Sequence, residues 1–171
     1  SDILNAAVTT ANVKARIQNI ETINVTGEYV KTGLVLTNVS GTKTLNLDTK
    51  LAGGTAKVTD ANSINAAAIK AGANISTLNV KSLSSGTRDT VTVDAGSANL
   101  NLTGKAAGAD IYEATVAADA TVTLATLNSA GDNVTLNVAG DIDLTSTNPT
   151  ELDITINATE DSVVELQNNA T

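Results

Sequence analysis

Apolar residues in this chain recur as pairs separated by one intervening residue, and the pairs step by eleven. The series runs Ile23/Val25, Leu34/Leu36, Leu45/Leu47, Ala56/Val58, Ala67/Ile69 and Leu78/Val80. It breaks at Asp89/Val91, resumes at Leu100/Leu102, half-matches at Ile111/Glu113 and returns at Val122/Leu124. Alternation with period two places one set of side chains inward and the other outward on a strand. A fixed longer spacing marks a repeat architecture. Eleven residues hold one short strand and its turn, so two units make a coil of about twenty-two residues. The pattern predicts an all-β fold, a parallel β-solenoid (β-helix) with half-coils of about 11 residues. An Ig-like β-sandwich also produces short strands at this spacing and is the rival architecture. Residues 20–166 fill about seven such coils, a stack roughly 30–35 Å long at ~4.8 Å per strand.

The strand cores read from the alternation are ETINVT, GLVLTN, KTLNLD, TAKVTD, STLNVK, DTVTVD, NLNLT, TVTLAT, NVTLNV, DIDLT, LDITIN and SVVEL. Residues 1–16 are the least strand-like and predict either a capping or linking segment or a short helix. Residues 17–171 form the solenoid body, with no Gly/Ser-rich linker to divide it. The alanine run of SINAAAIKAGA, residues 63–73, reads either as an irregular rung that keeps Ala67 and Ile69 in phase or as a short helical insert. After about residue 130 the pairs Leu136/Val138, Ile142/Leu144, Ile154/Ile156 and Val164/Leu166 keep the alternation but lose the strict spacing, as insertions in turns would cause.

Composition strengthens the repeat reading. The chain has 27 Thr, 26 Ala and 19 Asn, two Tyr, and no Phe, Trp, Met, His or Cys. A compact globular core normally uses bulky aromatic anchors, whereas stacked aliphatic layers do not need them. Thr and Val suit a pleated, half-buried surface. Asn and Gly suit tight turns. The start at Ser1 and the lack of Met are expected of a segment cut from a longer protein. No run approaches the ~18–20 apolar residues of a membrane span, so membrane insertion is not expected.

Charge divides the chain. Residues 1–105 carry ten Lys/Arg and seven Asp/Glu, a net of +3; residues 106–171 carry eleven Asp/Glu and no cation, a net of −11. The acidic part argues against nucleic acid and anionic lipid as partners. Without His or Cys the usual general base and thiol nucleophile are missing, so no enzyme activity is expected. Hard cations bound through oxygen suit the carboxylates better. Candidate calcium ligands are Asp110, Asp132, Asp141 and Asp143, which stand in Asp/Asn/Gly turns, although neither an EF-hand loop nor a GGxGxDxux nonapeptide occurs. The alternative is that these residues serve turn geometry and a solvated surface.

Seven N-x-[ST] triplets begin at Asn24, Asn38, Asn74, Asn101, Asn133, Asn157 and Asn169. Asn24, Asn101 and Asn157 fall on outward strand positions and read as polar ladder residues rather than glycosylation acceptors. T-x-T pairs such as Thr90/Thr92 and Thr121/Thr123 read as ordinary strand surface, because the outward face mixes Thr with Asn, Lys and Asp and is not the uniform face that ice binding needs. Tyr29 and Tyr112 are either interface anchors or rings packed on a rung.

The phrases IETINVTG, TKTLNLDTKL, ISTLNVKSL and DNVTLNVAGDIDLTST give the chain its family likeness. Over about residues 17–166 it resembles the bodies of RTX-related surface-layer proteins of Gram-negative bacteria, such as the crystalline coats of Caulobacter and Campylobacter. Large bacterial adhesins are similar in style. The resemblance implies a secreted, extracellular structural protein on the bacterial cell surface. It implies a partner set of copies of itself in a two-dimensional lattice, calcium in assembly, and attachment to cell-surface polysaccharide through a domain outside this chain. The adhesin likeness implies instead a stalk or passenger segment that binds a host glycan or protein.

Overall fold

The structure is a computed structural model that describes residues 1–8, 13–27, 34–49, 53–59, 68–81, 90–104, 111–127, 131–147, 152–159 and 161–168. The elements are β1 (Ile3–Ala7), β2 (Val13–Lys14), β3 (Ile17–Gln18), β4 (Thr22–Thr26), β5 (Leu34–Val35), β6 (Val39–Ser40), β7 (Thr44–Asp48), β8 (Gly54–Thr59), β9 (Ala68–Ala71), β10 (Ile75–Lys81), β11 (Thr90–Gly96), β12 (Asn99–Thr103), β13 (Ile111–Ala117), β14 (Ala120–Ala125), β15 (Asn133–Ala139), β16 (Ile142–Thr147), β17 (Asp153–Ala158) and β18 (Val164–Asn168). No helix occurs among the described residues, so none there is long and apolar enough to cross a membrane.

Every strand pair is parallel. The first eight-stranded sheet has the order β1-β4-β7-β9-β11-β13-β15-β17, and the second β18-β16-β14-β12-β10-β8-β5-β2. A third, two-stranded sheet, β3-β6, adds a face to the first two coils. From β7 onward consecutive strands alternate between the two large walls, and each wall grows by one strand per coil. This is the β-solenoid the alternation predicts. An Ig-like sandwich, built from antiparallel sheets, is excluded. Eight strands at ~4.8 Å spacing give a wall roughly 34 Å long.

The core is a column of aliphatic side chains between the walls. Leu45, Ile69, Leu78, Leu100, Leu102, Leu124 and Leu136 are all fully buried. The second wall keeps a strict 22-residue step from Ala56 through Leu78, Leu100, Val122 and Leu144 to Leu166. The first wall does not. Its column Leu4, Ile23, Leu45, Ile69, Val93, Ala114, Leu136, Ile156 steps by 19, 22, 24, 24, 21, 22 and 20 residues. The loosening expected after about residue 130 is thus confined to one wall: β15 to β17 loses two residues while β14, β16 and β18 stay in phase.

Three local readings change as a result. Where a short helix is expected within residues 1–16, Ile3–Ala7 is a strand in register with β4 and forms the first rung of the wall. In the alanine run, β9 is a rung and not a helical turn; its inward residues are Ile69 and Ala71, two positions later than the eleven-residue step predicts for the pair. Ala67 lies outside the described residues. At the half-match, Glu113 is exposed and the inward set is Tyr112, Ala114 and Val116, a one-residue slip that the step of 21 from Val93 to Ala114 produces. A one-residue slip flips every side chain to the opposite face, so a fixed step lands on the outward face there.

At Gly27 the corner after β4 has φ +148°, and a Cβ would overlap the Val8 carbonyl oxygen. The Val8 N–H itself donates to the Thr26 carbonyl at 2.9 Å. The first rung can close against the second only because this residue has no side chain.

Truncating Leu102 to Ala is expected to cost about 2–5 kcal/mol, because the cavity left between fixed rungs cannot collapse. Thr123→Ala, on the outward face of the same wall, stays within about 0.5 kcal/mol. Urea unfolding followed by circular dichroism reads the difference as a shift in midpoint.

Candidate functional site

The outward faces are the surfaces the fold offers to a partner. In the first wall one column runs Asn5, Asn24, Asn46, Lys70, Asp94, Thr115, Asn137, Asn157. Parallel in-register pairing brings Asn onto Asn at the two ends of this column, with Lys70, Asp94 and Thr115 between them. The Asn24 Nδ2 donates to Asn5 Oδ1 at 2.7 Å, and Asn46 Nδ2 to Asn24 Oδ1 at 2.7 Å. At the far end of the column Asn157 Nδ2 donates to Asn137 Oδ1 at 3.0 Å. The second wall repeats the device, with Asn101 Nδ2 donating to Asn79 Oδ1 at 2.7 Å. In all four bonds the later strand donates and the earlier accepts. Asn24, Asn101 and Asn157, read from the sequence as ladder residues, each take part.

Beside these columns run rows of Thr. Thr22 and Thr44, then Thr92, and finally Thr135 and Thr155 share one file of the first wall, with Ala68 and Glu113 between them. The result is a polar surface that is regular over most of its length.

The acidic part of the chain forms a corner at the end of the second wall. Asp119, Asp141, Asp143 and Glu165 line one open depression of about 260 Å³, together with Ile142 and Val163. The corner stacks on its own backbone. The Asp119 N–H donates to the Asp141 carbonyl at 2.8 Å, and the Val163 N–H donates to Asp141 Oδ1 at 2.7 Å. Asp119 takes φ 61°, and a Cβ on Gly140 would sit 2.6 Å from the Ala118 Cβ, so the corner admits no side chain there. Asp143 and Glu165 are register partners on neighbouring strands, which places like charges side by side.

Of the four predicted calcium ligands, Asp141 and Asp143 meet in this depression. Asp132 does not line it: its side chain is fully buried at the start of β15, and its carbonyl accepts the Asp153 N–H at 3.1 Å. Asp110 lies outside the described residues. Among the described residues no three carboxylates are grouped so as to hold a metal ion. Asp119 and Glu165 were not singled out by turn composition. Asp119 stands 22 residues before Asp141, and Glu165 stands 22 after Asp143, so the coil period itself is the signal that finds them. Tyr112 is a ring packed on a rung: it is fully buried, and its Oη donates to the Thr103 carbonyl at 3.1 Å. Tyr29 lies outside the described residues.

The fold and its surfaces define a class, the parallel β-solenoids. Compared with protein families, curated proteins and solved structures, the chain matches none.

The paired charges at Asp143 and Glu165 oppose folding. Asp143→Asn is expected to stabilise the chain by about 0.2–1 kcal/mol at low ionic strength. The gain shrinks as salt screens the exposed pair. Thermal melts of both forms across a salt series read it as a narrowing gap in Tm.

Proposed function

We propose that this chain is a structural segment of a bacterial surface layer, a β-solenoid that packs beside copies of itself into a two-dimensional lattice outside the cell. The observation that carries the reading is the pair of eight-stranded walls with hydrogen-bonded Asn columns and Thr files on their outward faces. Asn and Thr offer donors and acceptors in a fixed ~4.8 Å repeat along the wall. A neighbouring copy meets that repeat with the same spacing, so many weak polar contacts add up over a broad face. Such faces are wet and polar, as reversible assemblies require.

Calcium enters this reading at the lateral contacts. It takes six to eight oxygens. Asp141 and Asp143 supply part of that number from an open depression, and a neighbouring copy supplies the rest. Attachment to cell-surface polysaccharide falls to another domain of the parent protein.

Electron microscopy of the purified chain with and without calcium tests the proposal. The expected outcome is ordered sheets that appear with calcium and dissolve on chelation. A chain that forms no sheet under any divalent-ion condition, even within its longer parent protein, contradicts the lattice reading. A monomer that binds cells or glycans would mark an adhesin stalk instead.

A further inference from the structure

The second wall sorts its charges by sign along the stack, and the first does not. Lys57 on β8 and Lys81 on β10 are exposed, and so are Asp143 on β16 and Glu165 on β18. Lys14, on β2, adds a cation two strands beyond β8 in the order of the wall. Those five are the charged residues of the described strands of this wall. Between the two signs lie β12 and β14, whose outward residues Asn99, Asn101, Thr103, Thr121 and Thr123 carry no charge. Asp48, at the corner before β8, is turned in to accept the Thr49 and Asn74 N–H groups at 2.8 and 3.3 Å. At the opposite end the corner adds Asp119 and Asp141 to the carboxylates. The whole chain has the same polarity: Lys105 is its last cation, and every charged side chain after it is negative. In the first wall, by contrast, Lys70 on β9 has Asp48 on the strand before it and Asp94 on the strand after it, so the signs are interleaved.

The order of strands makes this a surface that fits itself. The second wall is also the one whose 22-residue step holds from Ala56 to Leu166, so its outward columns stay aligned. Its strands β18, β16, β14, β12, β10 and β8 are arranged evenly about the line between β14 and β12. A copy turned over about that line and laid face to face sets β8 on β18, β10 on β16 and β12 on β14. Lys57 and Lys81 of each copy then lie over the strands that carry Glu165 and Asp143 in the other, and the strand of Asn101 meets the strand of Thr123. Facing the copies with both stacks in one direction puts Lys on Lys and carboxylate on carboxylate, which is repelled.

We propose that two copies of this chain pair through their second walls with the stacks antiparallel, about a two-fold axis that runs along the strands between β12 and β14. The contact is isologous, so it closes at two copies. Six strands at ~4.8 Å and five residues at ~3.3 Å give a face of roughly 450 Å² per copy, about half of a standard interface. Exposed ion pairs each add little. The charges therefore choose the orientation, and the association is weak and salt-sensitive. The Lys side chains supply the cations beside the carboxylates, so the contact needs no calcium. The inference goes beyond the surface-layer reading and does not rest on it, because a closed pair is not a sheet.

Sedimentation velocity in a chelating buffer at low salt, over a series up to about 1 mM chain, tests it. The unsubstituted chain is expected to form a dimer and nothing larger. It is expected to return to monomer at about 0.5 M salt, where the screening length is about 4 Å. Lys57→Glu with Lys81→Glu gives both halves of the face a negative charge, and Asp143→Lys with Glu165→Lys gives both a positive one. Each double variant alone is expected to stay monomeric. An equal mixture of the two, and the chain that carries all four changes, are expected to dimerise again. Lys57→Gln with Lys81→Gln repeats the first arm if the Glu form loses its β-type circular dichroism. Monomer at every concentration of the unsubstituted chain would overturn the proposal. So would a dimer that survives high salt, dimers of either double variant alone, or a mixture of two folded variants that stays monomeric.

Discussion

Parallel in-register pairing between successive coils is the constraint from which the rest of this structure follows. Each strand is bonded to the strand one coil before it and one coil after it, so a residue's surroundings are set by its counterparts about twenty-two positions away. Inward, that stacks Leu, Val and Ile into a continuous column that needs no aromatic ring beyond Tyr112. Outward, it stacks Asn on Asn with donor and acceptor in a common sense. At the corner it stacks Asp119 on Asp141 and sets Asp143 beside Glu165, whether or not the charges welcome it.

The two walls hold this constraint differently. The second keeps one step from Ala56 to Leu166, while the first takes up residues gained and lost between coils. Loops absorb length at little cost to the ladder. Adding or removing residues before a first-wall strand therefore leaves the second wall's phase intact only when the opposite change follows within the same coil. The step of 24 into Ile69 and the step of 20 into Ile156 are of that kind, since the neighbouring second-wall strands remain 22 apart.

This difference explains what was legible in the sequence. The solenoid class and most strand cores were visible, because two apolar residues flanking a polar one recur at Leu78/Val80, Leu100/Leu102 and Val122/Leu124 without interruption. β1, β9 and β13 were hidden for physical reasons. β1 is an end strand whose inward residues, Leu4 and Ala6, face only one neighbour. β9 is half alanine, which carries little strand preference of its own. In β13 the slip of one residue moves Glu113 onto the position where the step predicts an apolar side chain. Asn24, Asn101 and Asn157 were readable as ladder residues from alternation alone. The acidic corner was readable only in part, since turn composition points to Asp141 and Asp143, whereas the coil period is needed to bring Asp119 and Glu165 beside them.

Register is the most direct thing to measure, and a chain without cysteine makes it simple. Paired cysteines at Thr123 and Thr145, or at Asn137 and Asn157, stand opposite one another on neighbouring strands. Paired cysteines at Thr135 and Asn157 preserve a 22-residue separation in the first wall but sit two positions out of register there. Oxidation followed by mass spectrometry is predicted to link the first two pairs within one chain and to leave the third unlinked. Linkage of the third pair in preference to Asn137 and Asn157 would contradict the account, because it would mean that both walls share one step and that the Asn ladders are misplaced.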